Sequence, residues 1–116
     1  MKKLEKALAY NDVLLVPQYS DIKSRSEVST KSTLRGRGPT TQLGIPVIAS
    51  PMDTISEEKM GVAMWQQGGL AVVHRYNTIT EQASILDSVI VKAGCNAAAA
   101  IGTSGDYLER ASALYE

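Results

Sequence analysis

A short apolar run followed by an amphipathic stretch occurs three times in the second half of the sequence. The apolar runs begin near residues 45, 70 and 97, and each leads into a stretch with helical periodicity. Strands of a parallel sheet are covered on both faces, so they are apolar throughout rather than alternating. Strict strand–helix alternation predicts an α/β fold, either a barrel or a doubly wound sheet.

The predicted helices begin at residues that can cap a helix and end at glycine. Two pairs have the spacing of a capping box, in which a hydroxyl and a carboxylate bind free backbone N–H groups: Thr54 with Glu57, and Thr78 with Glu81. Glycines at 68–69 and at 94 are expected to end the first two helices, because glycine readily adopts the left-handed conformation.

The third apolar run, residues 97–101, contains four consecutive alanines, which on propensity alone would suit a helix. We predict a strand, because Gly94 and Gly102 leave too little room for a helix. The helix after it is predicted to begin near Ser104 or Asp106. It carries three residues at helical spacing: Leu108, Ala111 and Tyr115.

Residues 1–44 show neither the helical nor the strand spacing of apolar residues and are expected to be mostly irregular. The apolar run at residues 13–16 is closed by Pro17 and predicts one short strand. Residues 20–33 are polar, and residues 36–39 have the glycine and proline content of a turn.

Composition excludes several classes of function. The 116 residues include 12 basic and 12 acidic side chains, so no net charge favours nucleic acid or an anionic membrane. No apolar run approaches the roughly 20 residues of a membrane-spanning helix. Cys95 is the only cysteine and His74 the only histidine, so neither an internal disulfide nor a metal cluster built on them is expected. A reducing cytoplasm is the simplest compartment.

Ligands of parallel α/β proteins bind at the carboxyl ends of strands, which selects residues 50–54, 74–77 and 102–106. His74 is either a general base or ligand contact, or a strand-end histidine with local hydrogen bonds. Cys95 is expected to be an unreactive packing residue. Five basic residues near the N-terminus either form a solvated surface or bind a cofactor phosphate: Lys23, Arg25, Lys31, Arg35 and Arg37.

Four segments together resemble the IMP dehydrogenase/GMP reductase family. They are residues 9–17 (AYNDVLLVP), 45–54 (IPVIASPMDT), 68–75 (GGLAVVHR) and 99–102 (AAIG). The resemblance implies a TIM barrel of which this chain is the N-terminal portion. Residues 1–44 would cap the barrel, and residues 45–116 would form its first three β-α units. Only residues 93–96 separate the second helix from the third strand, so the CBS insert that typical IMP dehydrogenases carry there is absent.

The resemblance also implies a function. Family members act on a purine nucleoside monophosphate (IMP, GMP or XMP) through a cysteine nucleophile and a nicotinamide cofactor, NAD or NADP, and are homotetramers. Ser50 and Met52 would line the nucleotide pocket, and Ser24, Arg25 and Arg75 would contact the cofactor. The catalytic cysteine and the loop for a monovalent cation such as K⁺ are expected beyond Glu116, so the chain alone is expected to be inactive.

The resemblance leaves the activity open between two enzymes. Residues 24–27 (SRSE) favour GMP reductase, whereas residues 50–52 and 68–69 favour IMP dehydrogenase. We favour NAD-dependent oxidation of IMP to XMP, because the second group lies in the barrel motifs themselves. A nucleotide-binding regulator and a non-catalytic fragment are the alternatives outside enzymology.

Overall fold

The structure, a computed structural model, describes residues 6–35 and 40–115 and confirms the predicted strand–helix alternation. Its strands and helices, in chain order, are β1 (Ser32–Leu34), β2 (Thr41–Leu43), β3 (Ile48–Ala49), α1 (Glu58–Gln66), β4 (Leu70–Val73), α2 (Ile79–Ala93), β5 (Ala98–Ala99) and α3 (Tyr107–Tyr115). Strands β3, β4 and β5 form a parallel sheet in sequence order, and β1 and β2 form an antiparallel pair.

The central strand β4 carries most of the buried apolar surface of the sheet. Leu70, Ala71 and Val73 are buried there, and Leu86 and Val89 of α2 are buried with them. Ala71 lies opposite Ala49 of β3, and Val73 lies opposite Ala99 of β5. The flanking strands β3 and β5 are each two residues long, and the alanine-rich run is a strand as predicted.

Helix α2 begins and ends at the predicted residues. The Thr78 hydroxyl accepts a hydrogen bond from the Glu81 N–H at 3.2 Å, and the Glu81 carboxylate accepts one from the Thr78 N–H at 2.9 Å. That backbone bond lowers the pKa of Glu81. Gly94 ends the helix in the left-handed conformation, with φ of 63°. The second capping box is therefore confirmed.

The first predicted capping box is wrong. Helix α1 begins at Glu58, and the N-cap residue before it, Glu57, makes no side-chain cap. Thr54 lies outside the helix in a left-handed conformation with φ of 60°, which is unusual for a β-branched residue. The reason is that α1 begins four residues after Thr54, whose hydroxyl donates to the Asp53 carbonyl at 2.7 Å instead of capping the helix.

Helices α1 and α2 make a close contact at a glycine. A Cβ built on Gly61 would lie 2.6 Å from a methyl group of Val89, which is shorter than real Cβ contacts allow.

Helix α3 packs differently from the apolar spacing in its sequence. Leu108 and Tyr115 are exposed, and Arg110 is the buried residue of this helix. The guanidinium is buried because it has hydrogen-bond partners on other elements.

The N-terminal region is mostly irregular, as predicted, but the strand predicted at residues 13–16 is absent. This segment pairs with nothing in the described part of the chain, and Leu14 and Leu15 are almost fully exposed. Two 3₁₀ turns, Tyr10–Asp12 and Arg25–Glu27, interrupt it. The β1–β2 pair was not predicted, and the turn predicted at residues 36–39, which includes Arg37, lies outside the described residues.

Residues 6–31 extend away from the sheet, and we call them the N-terminal arm. The radius of gyration is 18.3 Å, compared with about 13 Å for a compact chain of 100 residues. The β1–β2 pair connects the arm to the sheet at Gly44, whose backbone packs against Gly68, and the Ile45 N–H donates to the Gly68 carbonyl at 3.1 Å. This junction lies at the amino ends of β3 and β4.

Candidate functional site

Three loops meet at one edge of the parallel sheet, where β3, β4 and β5 end. We name them loop A (residues 50–57), loop B (residues 74–78) and loop C (residues 100–106). Because the strands are parallel, their carboxyl ends lie at the same edge, which is where α/β proteins bind ligands. The structure thus brings together the three loops that the sequence selected.

Loop A is closed by Ser56, a buried residue. Its hydroxyl donates to the Ser50 carbonyl and accepts from the Met52 N–H at 3.1 Å. Its own carbonyl accepts from the His74 N–H at 3.3 Å, which joins loop A to loop B. Ser56 therefore fixes the backbone at both predicted nucleotide contacts. Sequence reasoning missed this role, because a serine before a helix gives the same signal as a helix cap.

His74 bonds within loop B through one ring nitrogen and contacts loop A through the other. The residue is 2% exposed. Its Nδ1 accepts from the Tyr76 N–H at 3.1 Å, which assigns the neutral-ring proton to Nε2, and Nε2 lies 3.3 Å from a carboxylate oxygen of Glu57. A second carboxylate, that of Asp53, lies 3.9 Å from Nε2. Of the two roles considered for His74, this geometry matches the local structural one.

Arg75 is exposed on loop B and its guanidinium lies across loop C. A Cβ built on Gly102 would come within 3.2 Å of the Arg75 Nη1 atom. The guanidinium carbon also lies 5.8 Å from the centre of the Tyr76 ring, within the range of a cation–π contact. Arg75 forms no ion pair within residues 6–35 and 40–115, so its planar fork is available to an anionic ligand.

A buried polar network lies beneath loops B and C. Arg110, which is 7% exposed, donates to the Gln82 side-chain oxygen at 2.8 Å and to the Asn77 carbonyl at 3.2 Å. It also pairs with the Asp106 carboxylate at 2.6 Å. Gln82 in turn donates to the carbonyls of Val73 and Ala100, at the ends of β4 and β5.

The network links residues that are 28 and 33 positions apart in the sequence. Hydrogen bonding to Arg110 lowers the pKa of Asp106. Sequence reasoning missed Arg110 and Gln82. Each is a polar residue at a core-facing position of its helix, Gln82 in α2 and Arg110 in α3. The predicted helix boundaries alone do not show which positions face the core.

Two clefts differ in charge and position. A cleft of about 650 Å³ lies beside His74, and three of its lining residues are acidic: Asp53, Glu57 and Glu81. Carboxylates there oppose an anion, so a phosphate fits better beside Arg75. A cleft of about 710 Å³ lies beside β2 and the turn after α2, away from the three loops, and includes Cys95. Burial raises the pKa of the Cys95 thiol, consistent with the unreactive role expected for it.

The predicted site residues fall into two groups. Ser50 and Met52 in loop A and Arg75 in loop B lie at one edge of the sheet. Ser24 and Arg25 lie in the N-terminal arm, where the Ser24 hydroxyl bonds locally to Ser26. In the part of the chain that the structure describes, neither makes a hydrogen bond or an ion pair with residues 45–115.

The described residues hold neither a cluster of metal ligands nor a membrane-spanning helix. No group of three or more histidine, cysteine, aspartate or glutamate side chains there is arranged to hold a metal ion. No described helix is both long enough and apolar enough to cross a membrane.

Comparison with known proteins matches most of the chain. The family model described as IMP dehydrogenase / GMP reductase domain matches residues 7–116. The GMP reductase of Leishmania donovani is 41% identical over 86 residues, 74% of this chain. The inosine-5'-monophosphate dehydrogenase of Nitrosopumilus maritimus is 44% identical over 82 residues, 71% of this chain. The chain spans only 17% of the length of each of these two curated relatives.

A solved structure shares the backbone arrangement. The crystal structure of GMP reductase from Trypanosoma brucei in complex with guanosine 5'-triphosphate superposes with a TM-score of 0.59 and 42% sequence identity. The match covers 72% of this chain and 19% of that one. At this level of identity, the similarity concerns the sequence as well as the fold.

Proposed function

Because the chain belongs to the IMP dehydrogenase/GMP reductase family, we propose that the protein carrying it is a purine-nucleotide oxidoreductase. The observation that carries the proposal is the family match over residues 7–116, combined with the meeting of loops A, B and C at one sheet edge. The whole protein would act on IMP, GMP or XMP, with NAD or NADP as the cofactor.

We further propose that residues 45–116 form the first three β-α units of a TIM barrel. The strand order β3-β4-β5 follows the sequence, as it does around a (β/α)₈ barrel. Within the described residues, β3 and β5 each pair with β4 alone, so one edge of each is free for a further strand. On this proposal, residues 1–44 cap the barrel.

The three predicted contacts that lie at the sheet edge each have a physical rationale. Ser50 and Met52 would contact the purine nucleotide, because the Ser56 hydroxyl holds their backbone in one conformation. Arg75 would hold a cofactor phosphate, since its unpaired guanidinium can donate to two phosphate oxygens at once. When bound, the nicotinamide accepts or supplies a hydride. The residues of this chain bind and orient the reactants, and the nucleophilic cysteine would come from another part of the protein.

The favoured activity is NAD-dependent oxidation of IMP to XMP, supported by residues 50–52 and 68–69. GMP reductase, the NADPH-dependent conversion of GMP to IMP, is the second candidate. It is supported by residues 24–27 and by the similarity to the trypanosomatid GMP reductases. The homotetramer, the bound K⁺ and the cytoplasmic location remain predictions.

The test is an assay of the full-length protein that carries this sequence, with IMP plus NAD and, separately, GMP plus NADPH, followed by nicotinamide absorbance. We expect turnover with the first pair. Turnover with the second pair alone would assign a reductase, and turnover with neither would contradict the proposed function. The 116-residue chain should give no turnover with either pair.

Arginine substitutions in the active enzyme test the two groups of cofactor contacts. Arg75→Ala and Arg25→Ala should each raise the cofactor KM roughly ten- to hundredfold, as expected for a lost charge-assisted hydrogen bond. The nucleotide KM should stay nearly unchanged. Lys59→Ala, an exposed change on α1, serves as the control. An unchanged cofactor KM in Arg25→Ala would show that the basic residues of the arm are only a solvated surface.

A further inference from the structure

Arg110 makes contacts on both sides of the boundary between loops B and C. One of its Nη atoms donates to the Asn77 carbonyl of loop B at 3.2 Å and to the Asp106 carboxylate of loop C at 2.6 Å. The same guanidinium holds Gln82, which donates to the Ala100 carbonyl at the start of loop C. Beyond the β4–β5 backbone pairing, which ends with the Ala100 N–H donating to the Val73 carbonyl at 2.9 Å, the two loops are therefore held together by one buried side chain and its partners.

The position of the Arg75 guanidinium depends on the separation of loops B and C. Its guanidinium leaves loop B and rests across Gly102 of loop C, with Nη1 only 3.2 Å from the position of an added Cβ. The backbone of Gly102 is not in the left-handed region, so glycine is not required there by φ. The absent side chain of Gly102 instead leaves space for the guanidinium.

We propose that Arg110 is a positioning residue for Arg75. It holds loops B and C at the separation that seats the Arg75 guanidinium over Gly102, facing the sheet edge. The inference rests on the proposed function in one respect only, namely that Arg75 contacts the cofactor. Arg110 itself is buried beneath the loops and touches no ligand in this scheme.

The substitution Arg110→Lys separates the positioning role of this side chain from its positive charge. A lysine ammonium can pair with Asp106, but a single point charge cannot also reproduce the planar fork that reaches Gln82 and Asn77. In the full-length enzyme, Arg110→Lys should raise the cofactor KM about tenfold, equivalent to the loss of one charge-assisted hydrogen bond. The nucleotide KM should stay within a factor of about two, because loop A is outside the network.

The decisive measurement is the same substitution in the Arg75→Ala background. If Arg110 acts through Arg75, Arg110→Lys should add nothing to the cofactor KM once Arg75 is absent. Gly102→Ala gives a second variant that should fold, and it should raise the cofactor KM by a smaller factor, again only when Arg75 is present. Glu58→Gln breaks the 2.7 Å ion pair with Lys92 between α1 and α2 and should leave both KM values unchanged.

Additive effects of Arg110→Lys and Arg75→Ala, or equal rises in both KM values, would overturn the proposal and leave Arg110 a purely structural residue. If the protein turns over neither substrate pair, hydrogen–deuterium exchange provides the readout. Arg110→Lys should then speed amide exchange in loops B and C together, whereas Glu58→Gln should not. Unchanged exchange in either loop would overturn the positioning role independently of the proposed function.

Discussion

Leucine side chains are exposed in the N-terminal arm, whereas the core leucines of residues 45–115, which we call the β-α region, are buried. Leu15 of the arm is 97% exposed, whereas Leu86 of α2 is 6% exposed. Both lie in segments that look suited to regular structure: an apolar run closed by proline in the first case, an amphipathic helix in the second. The difference is that α2 has a neighbouring sheet and two helices to cover its apolar face, and residues 13–16 have no partner among the described residues.

The contrast shows that local apolar pattern and burial are separate properties. An extended segment satisfies neither its backbone groups nor its apolar side chains until another strand or surface pairs with it. A helix satisfies its backbone hydrogen bonds internally and needs only one covered face. The β-α region therefore buries its core apolar side chains against its own strands and helices. The apolar side chains of the arm can be buried only against a surface outside the described residues.

The largest expected effect is the removal of a leucine side chain from each region of the 116-residue chain. Leu86→Ala should lower the free energy of unfolding by about 2–5 kcal/mol, because it leaves a cavity in the buried core. Leu15→Ala should change it by less than about 0.5 kcal/mol, because the side chain is already in water. Chemical denaturation of both variants checks this. Equal destabilisation would mean that the arm is packed, and the contrast between the regions would fail.

Helix caps give a second, smaller comparison. Thr78 caps α2 through the Glu81 N–H, and Ser24 caps the short Arg25–Glu27 turn through the Ser26 N–H. Thr78→Ala should lower the unfolding free energy by about 1 kcal/mol, since α2 is part of the core. Ser24→Ala should have an effect below about 0.5 kcal/mol. A loss in Ser24→Ala as large as in Thr78→Ala would show that the turn in the arm is coupled to global folding.

The smallest effect concerns acid stability. Hydrogen bonding to Arg110 lowers the pKa of Asp106 in the folded chain, so the unfolded chain takes up a proton first as pH falls. The stabilisation is fully present above the ordinary aspartate pKa and is lost as pH falls through the lower pKa of the folded state. Asp106→Asn should therefore flatten the decline of Tm at acidic pH. Glu58 and Glu81, whose pKa values are also lowered, should retain the remainder of that decline.

Asp87→Asn is the matched control for this measurement. Asp87 is an exposed aspartate of α2 that forms no ion pair in the described part of the chain. Its replacement should leave the acid profile of Tm unchanged. An Asp106→Asn profile as steep as that of the parent chain would contradict the role assigned to the pair with Arg110.

The order of strands and helices in residues 45–115 could be predicted from the sequence because the signals there were local. Glycine at 94 and the Thr78–Glu81 pair fix the ends of α2 through bonds that span only a few residues. The Thr54 box failed because the Thr54 hydroxyl has a competing partner in the loop, the Asp53 carbonyl, and the helix begins only at Glu58. Helix starts are thus predictable where no loop competes for the capping hydroxyl.

The site was predictable only in part, for a related reason. The rule that ligands bind at the ends of parallel strands selected the three loops and placed Ser50, Met52 and Arg75 at one edge. The groups that fix those loops are Ser56, His74 and Arg110, and each acts through a partner that only the tertiary fold brings close. Arg110 in particular resembles any surface arginine in sequence, and its burial follows from acceptors contributed by α2 and loop B.

The junction at Gly44 limits how far the arm can reach. The arm joins the sheet at the amino ends of β3 and β4, opposite to loops A, B and C. Seven peptide units separate Ser32, which is paired next to this junction, from Arg25, and their contour length is at most about 25 Å. The 15 residues of α2 rise about 22 Å over the same height. The backbone of Arg25 can therefore reach the level of loops A, B and C in its own chain only if residues 25–32 are nearly fully extended.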